Sequence, residues 1–246
     1  MTTIAHHLRL VHDRIHAACL ASGRDPASVR LLAVSKTFGA GAVAEAMAAG
    51  QTAFGENYIA EGVDKIETLR QWPPNSAEGG STLAAPLEWH CIGPVQSNKT
   101  RLVAEHFDWV QSVDRLKIAQ RLSEQRPAEL PPLQVCLQIN IDGGANKSGV
   151  APEAALALAR EVAQLPRLVL RGLMAIPEPA INFVAACALH ASAKAIFDQI
   201  NAAGVLPQPM DTLSLGMTAD LEAAIHAGST MVRVGTAIFG GRLKSA

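Results

Sequence analysis

The stretch VRLLAVSKTFG, residues 29–39, ends an apolar run on a lysine, Lys36. An ammonium group is costly to bury without a partner, so a lysine closing a strand-like run needs a reason. Partly desolvated, it has a depressed pKa and more neutral amine with which to attack a carbonyl and form a Schiff base. A lysine snorkelling to solvent or pairing with a carboxylate fits the same position, and spacing leaves both open. A second chemical feature lies near the other end of the chain. VRVGTAIFGG, residues 232–241, combines the cation Arg233 with Gly235 and the hydroxyl of Thr236. Glycine lets a backbone approach an anion closely, while a hydroxyl and a guanidinium donate to it. SLGMTAD, residues 214–220, adds the hydroxyls of Ser214 and Thr218 just before a helical pattern. These are also ordinary N-cap residue types. Capping and phosphate binding are compatible, because both use the same exposed N–H groups.

Elements must bring residue 36 to residues 214–236. Short β-like runs recur at 30–35, 52–57, 87–93, 107–113, 133–140, 168–176, 211–217 and 231–239, with helical patterns such as GAVAEAMAAG and APEAALALAREVAQL between them. Continuous apolar strands alternating with helices predict a parallel sheet covered by helices. Eight such units in 246 residues fit an α/β fold of the (β/α)8 TIM-barrel kind, one domain over residues 1–246, with residues 2–22 as an extra N-terminal helix. The active site of such a barrel lies at the C-terminal ends of its strands. That rule gathers Lys36, Glu56, Asn57, His90, Gln138, Asn140, Ser214, Thr218, Arg233 and Thr236 around one mouth. The segment WPPNSAEGGSTLAAP, residues 72–86, reads as a surface loop, and DGGANKSG, residues 142–149, as a turn or a loop over the mouth.

Composition narrows the partners. Lys and Arg total 21 against 22 for Asp and Glu, a net charge of -1 that favours neither nucleic acid nor an anionic membrane. No run reaches the roughly 18–20 apolar residues of a membrane span, and the N-terminus has no cleavage signature, so a cytoplasmic protein is expected. Cys19, Cys91, Cys136 and Cys187 form no C-x-x-C and predict neither a disulfide framework nor zinc. His6, His7, His12 and His16 share one helix without an acidic ligand pattern, and read as surface histidines rather than a metal site.

The segments LLAVSKT, FGENY, WHCIGPVQSNK, QINIDGGANKSG, LRGLMAIP and SLGMTADLEAAIHAGSTMVRVGTAIFG occur in order between residues 30 and 242. Together they resemble the pyridoxal phosphate homeostasis protein family, whose members adopt an alanine racemase-like barrel. The resemblance implies that Lys36 holds pyridoxal 5′-phosphate as a Schiff base. It implies phosphate contacts from Ser214, Arg233, Gly235 and Thr236, with Thr218 contributing, and places Asn57 near the cofactor ring. His90 and Met174 would line the same mouth; Lys99 and Lys147 stand in the matched motifs, which leaves open whether either forms a secondary or transient cofactor site. SLGMT stands where SMGMS is commoner, with hydroxyls kept at both ends.

Holding this cofactor does not establish catalysis, because the protein must also supply an acid and a base at the substrate's α-carbon. A racemase-like scheme needs a tyrosine opposite the lysine, and the single tyrosine is Tyr58. The chain stops soon after its last strand, without the closing β domain of the racemases, and an open site suits a carrier. The expectation is a monomeric pyridoxal phosphate homeostasis protein without turnover, serving apo-enzymes that use the cofactor. A racemase of low activity and a Schiff-base aldolase are the alternatives.

Overall fold

Runs such as RLLAV and LQVCLQ lack the polar alternation of a half-exposed strand, because both of their faces are covered. The computed structural model describes residues 3–71, 86–143 and 148–241. Its strands are β1 Arg30–Val34, β2 Ala53–Glu56, β3 Glu88–Cys91, β4 Trp109–Val113, β5 Leu133–Gln138, β6 Leu168–Met174, β7 Thr212–Ser214 and β8 Met231–Val234. They pair in parallel and in chain order, and β8 returns to β1 to close a TIM barrel. The helices are α1 Ile4–Ala21, α2 Ala40–Ala48, α3 Ile59–Arg70, α4 Thr100–His106, α5 Leu116–Gln125, α6 Ala155–Ala163, α7 Phe183–Ala202, α8 Leu221–His226 and α9 Thr236–Phe239.

Side chains alternate across each strand, so the core has two parts. Leu31 and Ala33 of β1 face the helices with Phe54, Trp89 and Val110. Leu32 and Val34 face inward with Ala53, Ile92 and Met231, and a second inner cluster joins Trp109, Cys136 and Met174. The extra helix α1 packs on α2, α8 and α9. Thr3 caps it by accepting the His6 N–H at Oγ1.

One element ends earlier than the sequence predicts. The last strand ends at Val234 rather than at 239, because its neighbours β7 and β1 end at Ser214 and Val34 and offer nothing further to pair with. Gly235 instead starts α9, which buries Ile238. The helix α3 follows β2, as the strand–helix alternation predicts, and carries the buried Lys65. Of the 72–86 loop only Pro86 falls among the described residues, and Lys147 lies outside them.

Candidate functional site

The Lys36 position is built from both sides. Strand β1 stops at Val34, so Lys36 lies just past its C-terminal end and is half-buried. The next residue, Thr37, takes a left-handed backbone with φ 68°, a conformation a β-branched residue avoids unless the surroundings impose it. Those surroundings come from α3. Lys65 Nζ donates to the carbonyl of Ser35 at 2.7 Å, to Glu56 Oε1 at 2.7 Å and to Glu61 Oε1 at 2.6 Å. Glu61 Oε1 also accepts the Thr37 N–H at 2.6 Å, and Ser35 Oγ donates to Glu56 Oε1 at 2.6 Å. Burial pushes the Glu56 carboxyl up, against the opposing pull of Lys65 and Ser35. Phe38 stacks on Phe239 with centroids 5.3 Å apart and so ties the Lys36 loop to the end of α9.

Beside it, the ends of β7 and β8 form a cradle. A Cβ on Gly235 would stand 3.1 Å from the carbonyl of Val34, so glycine eases the close approach to the strand that carries Lys36. Thr236 Oγ1 lies 3.2 Å from Thr218 Oγ1, which brings the hydroxyls of two loops together at the surface. The first N–H groups of α9 lack intrahelical partners by the geometry of any helix. Gly216, at φ 87°, accepts the Arg233 N–H at 3.0 Å and keeps β7 and β8 in step beneath the cradle.

Arg233 lies below, inside the barrel. Its Nη1 donates to the Ser214 carbonyl at 2.6 Å and to Ser214 Oγ at 2.8 Å, and its Nη2 donates to the Ala175 carbonyl at 2.8 Å. All three are neutral oxygens. Burial pushes the guanidinium pKa down to about 10, with Asp220 pulling the other way. A buried cation served by neutral acceptors favours an anion or an electron-rich ring arriving at the mouth. Ser214 is itself fully buried and donates its hydroxyl to Gln111 Oε1 at 2.7 Å. It seats Arg233 and takes no part in the Thr218–Thr236 pair.

A cavity of about 770 Å³, the size of a small-molecule site, opens on the same face. Asn57, Gln138, Ser148, Phe183 and Asp220 are among the residues that line it. Asn57 is held by Gly93, where any Cβ would overlap the Asn57 carbonyl. Asp220 accepts the Met217 N–H at 2.7 Å and pairs with His190 Nε2 at 2.9 Å. Burial pushes its pKa up, but the hydrogen bonds from His190 and Met217 outweigh that and hold it below the ordinary value.

His90 and Met174 do not line this cavity. Both are fully buried inside the barrel, His90 stacked on Trp109 and Met174 packed with Trp109 and Cys136. His90 is the third of the four β3 residues, and its ring stays inside the barrel between Glu88 and Gln111. Asn140 follows β5 and gives its N–H to the Val150 carbonyl at 3.0 Å. Lys99 is half-buried at the start of α4. Among the described residues no cluster of three His, Cys, Asp or Glu could hold a metal ion, and no helix is long and apolar enough to cross a membrane. Sequence reasoning passed over Lys65, Glu61 and Gln111. The available signals were the i, i+4 spacing of Glu61 and Lys65, and the polar pair Gln111 and Ser112 within the otherwise apolar run WVQSV.

Fold and site define a parallel (β/α)8 barrel whose C-terminal mouth sets a lysine beside a glycine-and-hydroxyl cradle above a buried arginine. The chain belongs to the alanine racemase N-terminal domain family, whose model matches residues 13–243. It is 56% identical over 242 residues to the pyridoxal phosphate homeostasis protein of Pseudomonas aeruginosa, covering 98% of this chain and 97% of that one. The protein of that name from Escherichia coli K12 is 54% identical over 244 residues, with 98% of both chains covered. The solved structure of PipY from Synechococcus elongatus, with PLP bound, is 35% identical, with a TM-score of 0.76 over 94% of this chain and 100% of that one.

Proposed function

We propose that this chain binds pyridoxal 5′-phosphate at its C-terminal mouth, with Lys36 as the amine of the Schiff base, and serves pyridoxal phosphate homeostasis as a carrier without turnover. The observation that carries this reading is the approach of Gly235 to the end of β1, which sets an anion cradle beside the lysine loop. The PLP-bound relative and the names of the curated relatives support it. Bound there, the cofactor would supply an aldehyde that condenses with amines and a ring that accepts electrons.

The residues fit that group. Thr218, Gly235 and Thr236 hold the phosphate with the first N–H groups of α9. Arg233, seated by Ser214, supplies the cation beneath, and Asn57 faces the cofactor from the cavity side. Lys36 is aimed by Lys65 and Glu61 through the backbone on either side of it. The absence of turnover is supported by what surrounds the mouth. Tyr58, the single tyrosine, is 52% exposed at the start of α3. Asp220, the acid nearest the cradle in sequence, is already committed to His190 and the Met217 N–H. Delivery to apo-enzymes by a monomer of one barrel domain belongs to the same reading.

The test is a visible absorption spectrum of the protein with pyridoxal phosphate, beside its Lys36→Ala variant, before and after borohydride. A yellow band that borohydride bleaches, missing from the variant, is the expected result. A wild type that stays colourless overturns the reading and restores the aldolase. Racemisation assays on a panel of amino acids test the carrier reading, which turnover of about 1 per second or more would overturn.

A further inference from the structure

A continuous hydrogen-bonded chain runs inside the barrel from its N-terminal face to the mouth. Glu88, the first residue of β3, accepts at Oε1 from Arg30 Nη2 and from His90 Nε2, each at 2.8 Å. His90 Nδ1 lies 2.9 Å from Gln111 Nε2, and Gln111 Oε1 lies 2.7 Å from Ser214 Oγ. Ser214 Oγ in turn accepts from Arg233 Nη1 at 2.8 Å. The two ends stand on opposite faces. Glu88 is level with Ala53 at the start of β2, whereas the Arg233 guanidinium reaches the carbonyls of Ser214 and Ala175, at and just beyond the ends of β7 and β6.

The chemistry of the groups fixes the direction of every bond. A carboxylate only accepts, so His90 carries its proton on Nε2. Burial pushes the imidazole pKa down, against the pull of Glu88, which favours the neutral ring. Its Nδ1 is then an acceptor, so Gln111 donates its amide N–H there and turns its oxygen to the Ser214 hydroxyl. From Arg233 to Glu88 the donors therefore all point one way, with a cation at one end and, at the other, a carboxylate that also pairs with Arg30. Bonds aligned in this way polarise one another. The middle members are also pinned. Gln111 Nε2 lies 3.1 Å from Met231 Sδ, and the His90 ring lies against Trp109 with centroids 5.0 Å apart.

We propose that Glu88, His90 and Gln111 are positioning residues for the ligand at the opposite face, holding the Arg233 guanidinium through Ser214 and balancing its charge from a distance. The inference rests on the reading of the mouth as a pyridoxal phosphate site. A chain that merely satisfied polar groups inside the barrel would affect stability and leave the mouth unchanged.

Glu88→Gln removes the remote charge while keeping an acceptor for His90, at a partly exposed position. Ser214→Ala cuts the chain below Arg233, and Gln111→Met makes a second cut that stands in if Ser214→Ala does not fold. The pyridoxal phosphate dissociation constant is read from the absorption band for the wild type, each single variant and the double variant, with denaturation curves alongside. Glu88→Gln is expected to weaken binding about three- to tenfold and to shift the band in the otherwise wild-type chain, but to change binding by less than about twofold once the chain is cut. An effect on stability alone, or an equal loss of binding with and without the cut, overturns the proposal and leaves the cofactor reading intact. A wild type that takes up no pyridoxal phosphate overturns both.

Discussion

Lys65 Nζ donates to the carbonyl of Ser35 at 2.7 Å, so one buried ammonium fixes the backbone immediately before the lysine at the mouth. The same group meets Glu56 and Glu61, and Glu61 holds the N–H of Thr37 on the other side. The left-handed turn at Thr37 persists because both of its ends are tied to α3. Among the described residues Glu56 Oε2 is buried with no hydrogen-bond partner, so the network tolerates little further loss.

Lys65→Met is therefore expected to destabilise the fold by about 3–5 kcal/mol, because it leaves Glu56 buried without its cation. Glu56→Gln in the same chain is expected to recover part of that loss. Urea denaturation of the two single variants and the double variant measures it. Equal destabilisation in the single and double variants would mean that the pair is not the source.

Gly93 and Gly235 shape the mouth through close approach rather than through unusual φ. A Cβ at Gly93 would overlap the Asn57 carbonyl, so Gly93→Ala is expected to push Asn57 out of the cavity wall and to cost about 1–3 kcal/mol. At Gly235 the clearance to Val34 is 3.1 Å, and a modest shift relieves it. Gly235→Ala is expected to cost about 1 kcal/mol or less and to weaken pyridoxal phosphate retention more than fold stability. Denaturation midpoints and cofactor titrations on the same preparations separate the two effects.

The barrel was legible because eight apolar runs alternate with helical patterns, and that rhythm survives small errors in the boundaries. The run MVRVGTAIF misled at its end because its β-branched residues continue past Val234, while only the lengths of the neighbouring strands stop the sheet there. Lys36, Gly235 and Thr236 could be proposed because chemistry at a strand end leaves a local mark. Lys65 leaves only its i, i+4 spacing from Glu61, and a lysine on an amphipathic helix ordinarily reads as solvent-facing. The chain from Glu88 to Arg233 is carried by β3, β4, β7 and β8, and no spacing within one segment encodes it. Even Ser214, singled out correctly as a residue near the strand ends, faces Gln111 and Arg233 below the mouth, which only the barrel's closure decides.

Acid stability gives a last prediction with a definite sign. Burial works against the Glu88 carboxylate, but its hydrogen bond with His90 and the charge of Arg30 outweigh that and hold the pKa at about 2, against an ordinary 4.5. The unfolded chain takes up this proton first, so the stabilisation is complete above pH 4.5 and is lost as the pH falls toward about 2. It amounts to no more than about 3 kcal/mol, reduced by solvent on the exposed side of the carboxylate. His90 adds an earlier stage of the same sign. Its pKa is depressed in the fold, so stability begins to fall once the unfolded imidazole protonates, below about pH 6.5. Denaturation midpoints from pH 8 to 2 should therefore decline in two stages in the wild type. Glu88→Gln is expected to flatten the lower stage and keep the upper one. A variant whose lower stage matches the wild type would place the acid sensitivity elsewhere, with Asp211 beside Arg171 the next group to change, since hydrogen bonds and charge hold its carboxyl down against burial.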